Sequence, residues 1–171
     1  MQTSPPDDVI VVGDGEQAEW VKALVTGLGY RYLVHGETRD FGNSQREFAC
    51  NLVHGDYVVF QDDDDVFLPD AFVKIRKAIA QEPGVPGFLF KVIAPWGETV
   101  WSDEGIIEQG NVCTIQMVLK TPRDRAWPRW PRRQGGNIPY LKAFIETHGP
   151  VSWRDEIISE CRPRRLWWER T

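Results

Sequence analysis

Gly55-Asp56-Tyr57-Val58-Val59-Phe60-Gln61-Asp62-Asp63-Asp64-Asp65-Val66-Phe67-Leu68-Pro69-Asp70 is the stretch whose reading decides the fold. A β-type apolar segment runs into four consecutive aspartates, and beyond Pro69 the residues Phe72, Ile75 and Ile79 recur at helical spacing. Adjacent carboxylates repel one another, so such a cluster is favourable when it is solvated or when a cation neutralises it. An all-oxygen donor set suits a hard ion, Mg²⁺ or Mn²⁺, which takes one or two protein carboxylates and fills its shell with water and substrate phosphates. The alternative is an acidic surface loop, but such runs rarely sit between an apolar strand and an amphipathic helix.

Working outward, the 171 residues are 42% hydrophobic, enough for one domain with a real core. No apolar run approaches the ~18 residues of a membrane span, and Met1 to Asp8 is polar and acidic, so a cytoplasmic protein is expected. Cys50, Cys113 and Cys161 are widely spaced, which fits reduced packing residues better than a disulfide framework or a zinc site. His35, His54 and His148 show no metal-ligand spacing.

The net charge of −5 conceals an asymmetry. Residues 1–120 carry 9 basic against 19 acidic side chains, net −10, whereas residues 121–171 carry 11 against 6, net +5. In the basic part Arg123, Arg125, Arg129, Arg132 and Arg133 alternate with Trp127 and Trp130, and Arg162, Arg164 and Arg165 precede Trp167 and Trp168. Arginine beside exposed rings suits phosphate contact plus stacking. A proline-stiffened loop whose tryptophans cover core edges explains the same pattern equally well.

Elements alternate along the chain. Val9-Ile10-Val11-Val12 reads as a buried strand ending at Gly13-Asp14-Gly15, Glu16–Thr26 as a helix stopped by Gly27 and Gly29, and Tyr30–Val34 as a strand. A helix capped by Asn43 or Ser44 runs to about Val53, followed by strand Tyr57–Phe60, helix Pro69–Ala80, and strands Phe88–Ile93 and Val112–Leu119. This alternation predicts an α/β fold with a mostly parallel sheet flanked by helices, and ligand binding at the carboxyl ends of the strands.

The stretch Gly42-Asn43-Ser44-Gln45-Arg46, then Gly55 through Asp65, then Pro69-Asp70, resembles the centre of the family 2 glycosyltransferases, which have the GT-A fold. In that family an Arg-Asn…Ala-x-Gly-x-Tyr segment leads into Phe-Leu-Asp-x-Asp-Asp…Pro, the Asp-x-Asp motif. Val11-Val12-Gly13-Asp14-Gly15-Glu16 likewise resembles the family's Val-Asp-Asp-Gly-Ser turn, and the similarity covers about residues 8–80. It implies a Rossmann-like single domain, with residues 1–120 as the nucleotide-sugar and metal-binding core and residues 121–171 as its acceptor side. By the same resemblance Asp14 contacts the nucleotide base, Arg46 lies near the base or diphosphate, Asp62 and Asp63 address the ribose or sugar, and Asp62, Asp64 and Asp65 hold Mn²⁺ or Mg²⁺. The basic segment with Arg129, Trp130 and Arg132 lies where the family builds acceptor loops, which points to an anionic acceptor: modified DNA, a lipid-linked phosphate or an acidic glycan, with protein acceptors and self-association left open.

The chain also departs from the family. Family members begin with an apolar strand, a loop and a helix ahead of the Asp-Gly turn, whereas this sequence starts almost at that turn, as an unusually short member would if it lacked the first strand-helix unit. Glu47 and Ala49 stand for the motif's Asn and Gly, and Gly136-Asn137 takes the place of the Glu-Asp pair that supplies the inverting base. An amide cannot accept a proton as a carboxylate does. Asp155 and Glu156 are the preferred candidates for that base, ahead of Asp103, Glu104 and His148. A metal-dependent hexosyltransferase is therefore weighed against a catalytically degenerate nucleotide-binding or interaction module. A nucleotidyltransferase is disfavoured by the lack of a Gly-rich phosphate loop near the N-terminus.

Overall fold

The computed structural model describes residues 2–101, 103–124 and 126–161. Arg125, Arg162, Arg164, Arg165, Trp167 and Trp168 of the basic-aromatic pattern lie outside the described residues. The order of elements is β1 (Ile10–Asp14), α1 (Glu19–Gly27), β2 (Arg31–His35), α2 (Asn43–Cys50), β3 (Tyr57–Val59), β4 (Asp65–Phe67), α3 (Ala71–Gln81), β5 (Gly87–Ile93), β6 (Thr99–Val100), β7 (Met117–Lys120), α4 (Asn137–His148) and β8 (Ser152–Cys161). No helix among the described residues is long and apolar enough to cross a membrane.

The β-branched run of β1 pairs in parallel with β2, from Ile10 opposite Arg31 to Asp14 opposite His35, and α1 supplies the crossover that parallel strands need. The larger sheet has the order β3-β7-β5-β8-β4, with β6 on β5. There the β5–β8 pairing is parallel and the others are antiparallel, so the sheet is mixed where the alternation of elements predicted a mostly parallel one. The reason lies in the connections. β7 is reached from β5 through the 94–116 excursion without a full helix among the described residues, so that pair lacks the crossover a parallel pairing requires. Asp65, expected in a loop, opens β4 opposite Cys161.

Period-two alternation with both faces covered explains why β5 and β7 are apolar apart from Lys91 and Lys120. Leu89, Met117 and Leu119 face a cluster with Phe60, Trp130, Tyr140, Leu141 and Phe144. Phe88, Phe90 and Val118 face the opposite cluster with Phe72, Ile75, Ala78 and Ile158. The helix α3 presents Phe72, Ile75 and Ala78 to that second cluster and leaves Val73 in solvent. Because α4 closes one cluster and β8 runs between β5 and β4, residues 121–161 are built into the same core as residues 1–120.

Candidate functional site

The first turn of α2 joins the strand ends that carry the acidic residues. Asp40, 6% exposed, accepts hydrogen bonds from the Ser44 amide at 3.1 Å and the Ser44 hydroxyl at 2.6 Å, satisfying donors at the helix start that have no intrahelical partner. Burial works to raise the Asp40 pKa, but the bonds from Ser44, Thr38 and Arg132 prevail and hold it below the usual carboxylate value. The next two side chains diverge by about 100°, as successive helical positions do. Gln45 donates from Nε2 to Asp14 Oδ1 at 2.6 Å, which fixes the end of β1. Arg46 forms an ion pair with Asp62 beyond the end of β3 and donates to the Phe41 carbonyl at 2.8 Å.

The segment 130–133 is strapped onto α2. The Trp130 amide donates to Glu47 Oε2 at 3.1 Å, Arg132 pairs with Asp40 at 3.2 Å and Glu47 at 3.4 Å, and Asn43 Nδ2 donates to the Arg133 carbonyl at 2.9 Å. Gly136 is required here, since a Cβ would lie 2.6 Å from the Pro131 carbonyl oxygen and 3.0 Å from Asn43 Nδ2. These contacts correct one acceptor-surface expectation, that for Trp130, and show what Arg132 is bonded to. Trp130 is 2% exposed and stacks on Tyr140 with ring centroids 3.8 Å apart, so its ring is core. Arg132 bonds Asp40, Ser44 and Glu47 while its side chain stays half-exposed. Trp127 likewise stacks against Phe144, whereas Arg129 is exposed. Beneath the strap lies Cys50, whose thiol is pushed up to about 12 by burial.

Between α2, the strap and the start of α4 is a cavity of about 150 Å³. Arg46 and Asp62 form one wall, Arg133 and Gly135-Gly136-Asn137 another, and Phe41 stands at it from the loop before α2. Two guanidinium groups and the amino-terminal end of a 12-residue helix favour an anion in this space. Asp62 is the sole carboxylate among the described residues that line it.

Other sequence candidates lie elsewhere. Asp63 and Asp64 form the turn into β4, and among the described residues no three His, Cys, Asp or Glu side chains converge as a ready-made metal cage. Asp155 pairs with Lys91 at 2.6 Å, and Glu156 pairs with Arg154 at 3.1 Å, a contact that holds the Glu156 carboxyl below its ordinary range. Neither lines the cavity. His148 packs on Phe144 at the far end of α4, about 16 Å along the helix from Asn137. Asp103 and Glu104 are in an exposed turn. Sequence reasoning missed Phe41, Gln45 and Arg133 as site residues, and the Gly135-Gly136 pair ahead of an apolar helix was the available signal for the last of them.

The family model described as Glycosyl transferase family 2 matches residues 1–161. A curated relative from Haemophilus influenzae, an uncharacterized glycosyltransferase, is 29% identical over 87 residues, covering 49% of this chain and 28% of the relative. The fold is shared with S. aureus TarS (TM-score 0.72, 15% identity, 95% of this chain and 32% of that one). It is shared also with S. aureus TarS 1-349 in complex with UDP (TM-score 0.73, 14% identity, 95% of this chain and 53% of that one). The chain therefore spans about a third of the curated relative's length or less, and a third to a half of these solved chains.

Proposed function

The chain belongs to glycosyl transferase family 2 and has the GT-A fold, and from that premise we propose that it moves a hexosyl group from a nucleoside diphosphate sugar to an acceptor with the help of Mn²⁺ or Mg²⁺. The observation that carries this reading is the first turn of α2, where Gln45 and Arg46 are spent on Asp14 and Asp62 and so hold a nucleotide end and a sugar-phosphate end in fixed relation. The nucleotide base sits at Asp14, and Arg46, Arg133 and the start of α4 receive the anionic part of the donor. A structure of TarS 1-349 with UDP-GlcNAc (TM-score 0.68, 17% identity) supports a uridine diphosphate sugar as the first donor to try.

The residues at hand fit a hard cation in one way only. Asp62, Asp64 and Asp65 do not converge as a ready-made cage among the described residues, and they would hold an ion only together with the donor's diphosphate, as Mg²⁺ and Mn²⁺ sites commonly do. When bound, such an ion stabilises the negative charge that develops on the leaving nucleoside diphosphate. Arg133 and the positive end of the α4 dipole act on the same charge from fixed positions, which is electrostatic preorganisation. Arg129, exposed beside the strap, is the remaining candidate for an anionic acceptor such as modified DNA, a lipid-linked phosphate or an acidic glycan. Three free cysteines support a reducing, cytoplasmic setting.

A second reading, a nucleotide-binding module without turnover, draws on the cavity's single carboxylate, Asp62, which is ion-paired and poorly suited to take a proton from an acceptor. Thermal shift with UDP, GDP and their sugars, with and without Mn²⁺, tests binding. Metal-dependent stabilisation lost in Asp64→Ala supports the donor site, and stabilisation indifferent to both contradicts it. Slow hydrolysis of the sugar nucleotide separates an enzyme from a binding module.

A further inference from the structure

Among the described residues two non-glycine residues have positive φ, Arg39 at 50° and Phe41 at 63°, and Gly42 follows at 76°. An aromatic residue in the left-handed region is costly, because its Cβ crowds the neighbouring carbonyl, and such strain persists only where surrounding contacts over-determine it. Here they do. Asp40 is clamped between Thr38, Ser44 and Arg132, and Arg46 holds the Phe41 carbonyl. Yet the residue so presented remains 63% exposed while standing at the cavity. A fold that spends backbone strain on leaving a large apolar ring in water is arranged for something other than stability.

Size and order along α2 indicate which part of a ligand meets the ring. At about 150 Å³ the cavity is smaller than the ~300 Å³ where pockets for whole drug-sized ligands begin, so it takes one end of a sugar nucleotide. Asp14, held by Gln45, is not part of its lining, whereas Asp62 and Arg46 are. The guanidinium-lined part of the cavity receives the diphosphate, and with Asp14 outside the lining the sugar next to the phosphates is the part that meets Phe41 at the edge. A pyranose offers an apolar C–H face, and an exposed phenyl ring is a matching partner for it. We propose that Phe41 is the platform on which the donor's sugar ring packs, making it a specificity-determining residue. This inference rests on the donor reading above, and its test keeps the two apart.

The experiment is isothermal titration of the full chain and of Phe41→Ala, Phe41→Tyr and Phe41→Gly with UDP, UDP-glucose, UDP-N-acetylglucosamine, GDP and GDP-mannose in the presence of Mn²⁺. The expected result is that one sugar nucleotide binds the wild type more tightly than its bare nucleotide. Phe41→Ala then loses about tenfold for that sugar nucleotide alone, Phe41→Tyr retains it, and Phe41→Gly loses it while melting no lower than the wild type. Equal weakening of nucleotide and sugar nucleotide, or an unchanged increment in Phe41→Ala, overturns the platform and leaves the donor site standing. Wild-type protein that binds none of the five overturns the donor reading, and the platform falls with it.

Discussion

The strands β1 and β5 are both built on apolar runs, Ile10 to Val12 and Phe88 to Phe90, but they live in different surroundings. Phe88, Leu89 and Phe90 of β5 are fully buried between two side-chain clusters, whereas Ile10, Val11 and Val12 of β1 are half-buried. Next to β1 the helix α1 buries only Val25 and turns Trp20, Leu24 and Leu28 to solvent. Stability is thus concentrated in the larger sheet with α3 and α4, while the β1-α1-β2 unit is held to α2 in good part by polar contacts: Asp14 with Gln45 and Thr38, and Asp40 with Ser44. The same polar contacts organise the candidate donor site, so ligand-organising and fold-organising residues overlap at one end of the molecule and separate at the other.

The largest blow to that contrast comes from the core side. Trp130→Ala removes a fully packed ring and is expected to cost about 3–5 kcal/mol, read as a fall in the denaturant midpoint. If Trp130 served an acceptor surface instead, the midpoint would hardly move. Next comes Arg132→Ala, expected to cost ~1–2 kcal/mol because it strips a buried carboxylate, Asp40, of a charged partner while its own head is half solvated. A role confined to ligand contact predicts no such loss of stability.

Acid tests the polar side. Asp40 has a folded pKa below its unfolded value, so its contribution is complete above about pH 5 and drains away as pH falls below about 4 through the depressed value. In Asp40→Asn the melting temperature should fall less steeply over that range, and a slope equal to the wild type's would remove Asp40 from the network. The smallest change is expected at Trp20→Ser, within about 0.5 kcal/mol, since the side chain is 70% exposed. A loss above ~1 kcal/mol there would mean that α1 is covered in solution and would blur the contrast.

Much of this was legible in the sequence for reasons of periodicity. The runs Val9 to Val12, Tyr57 to Phe60 and Phe88 to Ile93 marked strands, the spacing of Phe72, Ile75 and Ile79 marked α3, and Arg46 and Asp62, both singled out in the sequence, line the cavity whereas Asp63, Asp64 and Asp65 do not. Pairing direction was not legible, because an apolar strand buried on both faces looks the same in parallel and antiparallel company. The strand β8 was read only as a resumed apolar pattern, its charges Arg154, Asp155 and Glu156 masking it. The segment 129–133 was misread in part because arginine beside tryptophan has two meanings, and choosing between them required knowing that Asp40, Ser44 and Glu47 would face Arg132. Glu47 had counted only as a departure from a motif, yet it is the acceptor that anchors the Trp130 amide.

The central claim is that the first turn of α2 holds the donor. The most direct test is the thermal shift produced by UDP and Mn²⁺ in the wild type, Arg46→Ala and Arg129→Ala. The account predicts a shift in the wild type that persists in Arg129→Ala and vanishes in Arg46→Ala, whereas an undiminished shift in Arg46→Ala would contradict it.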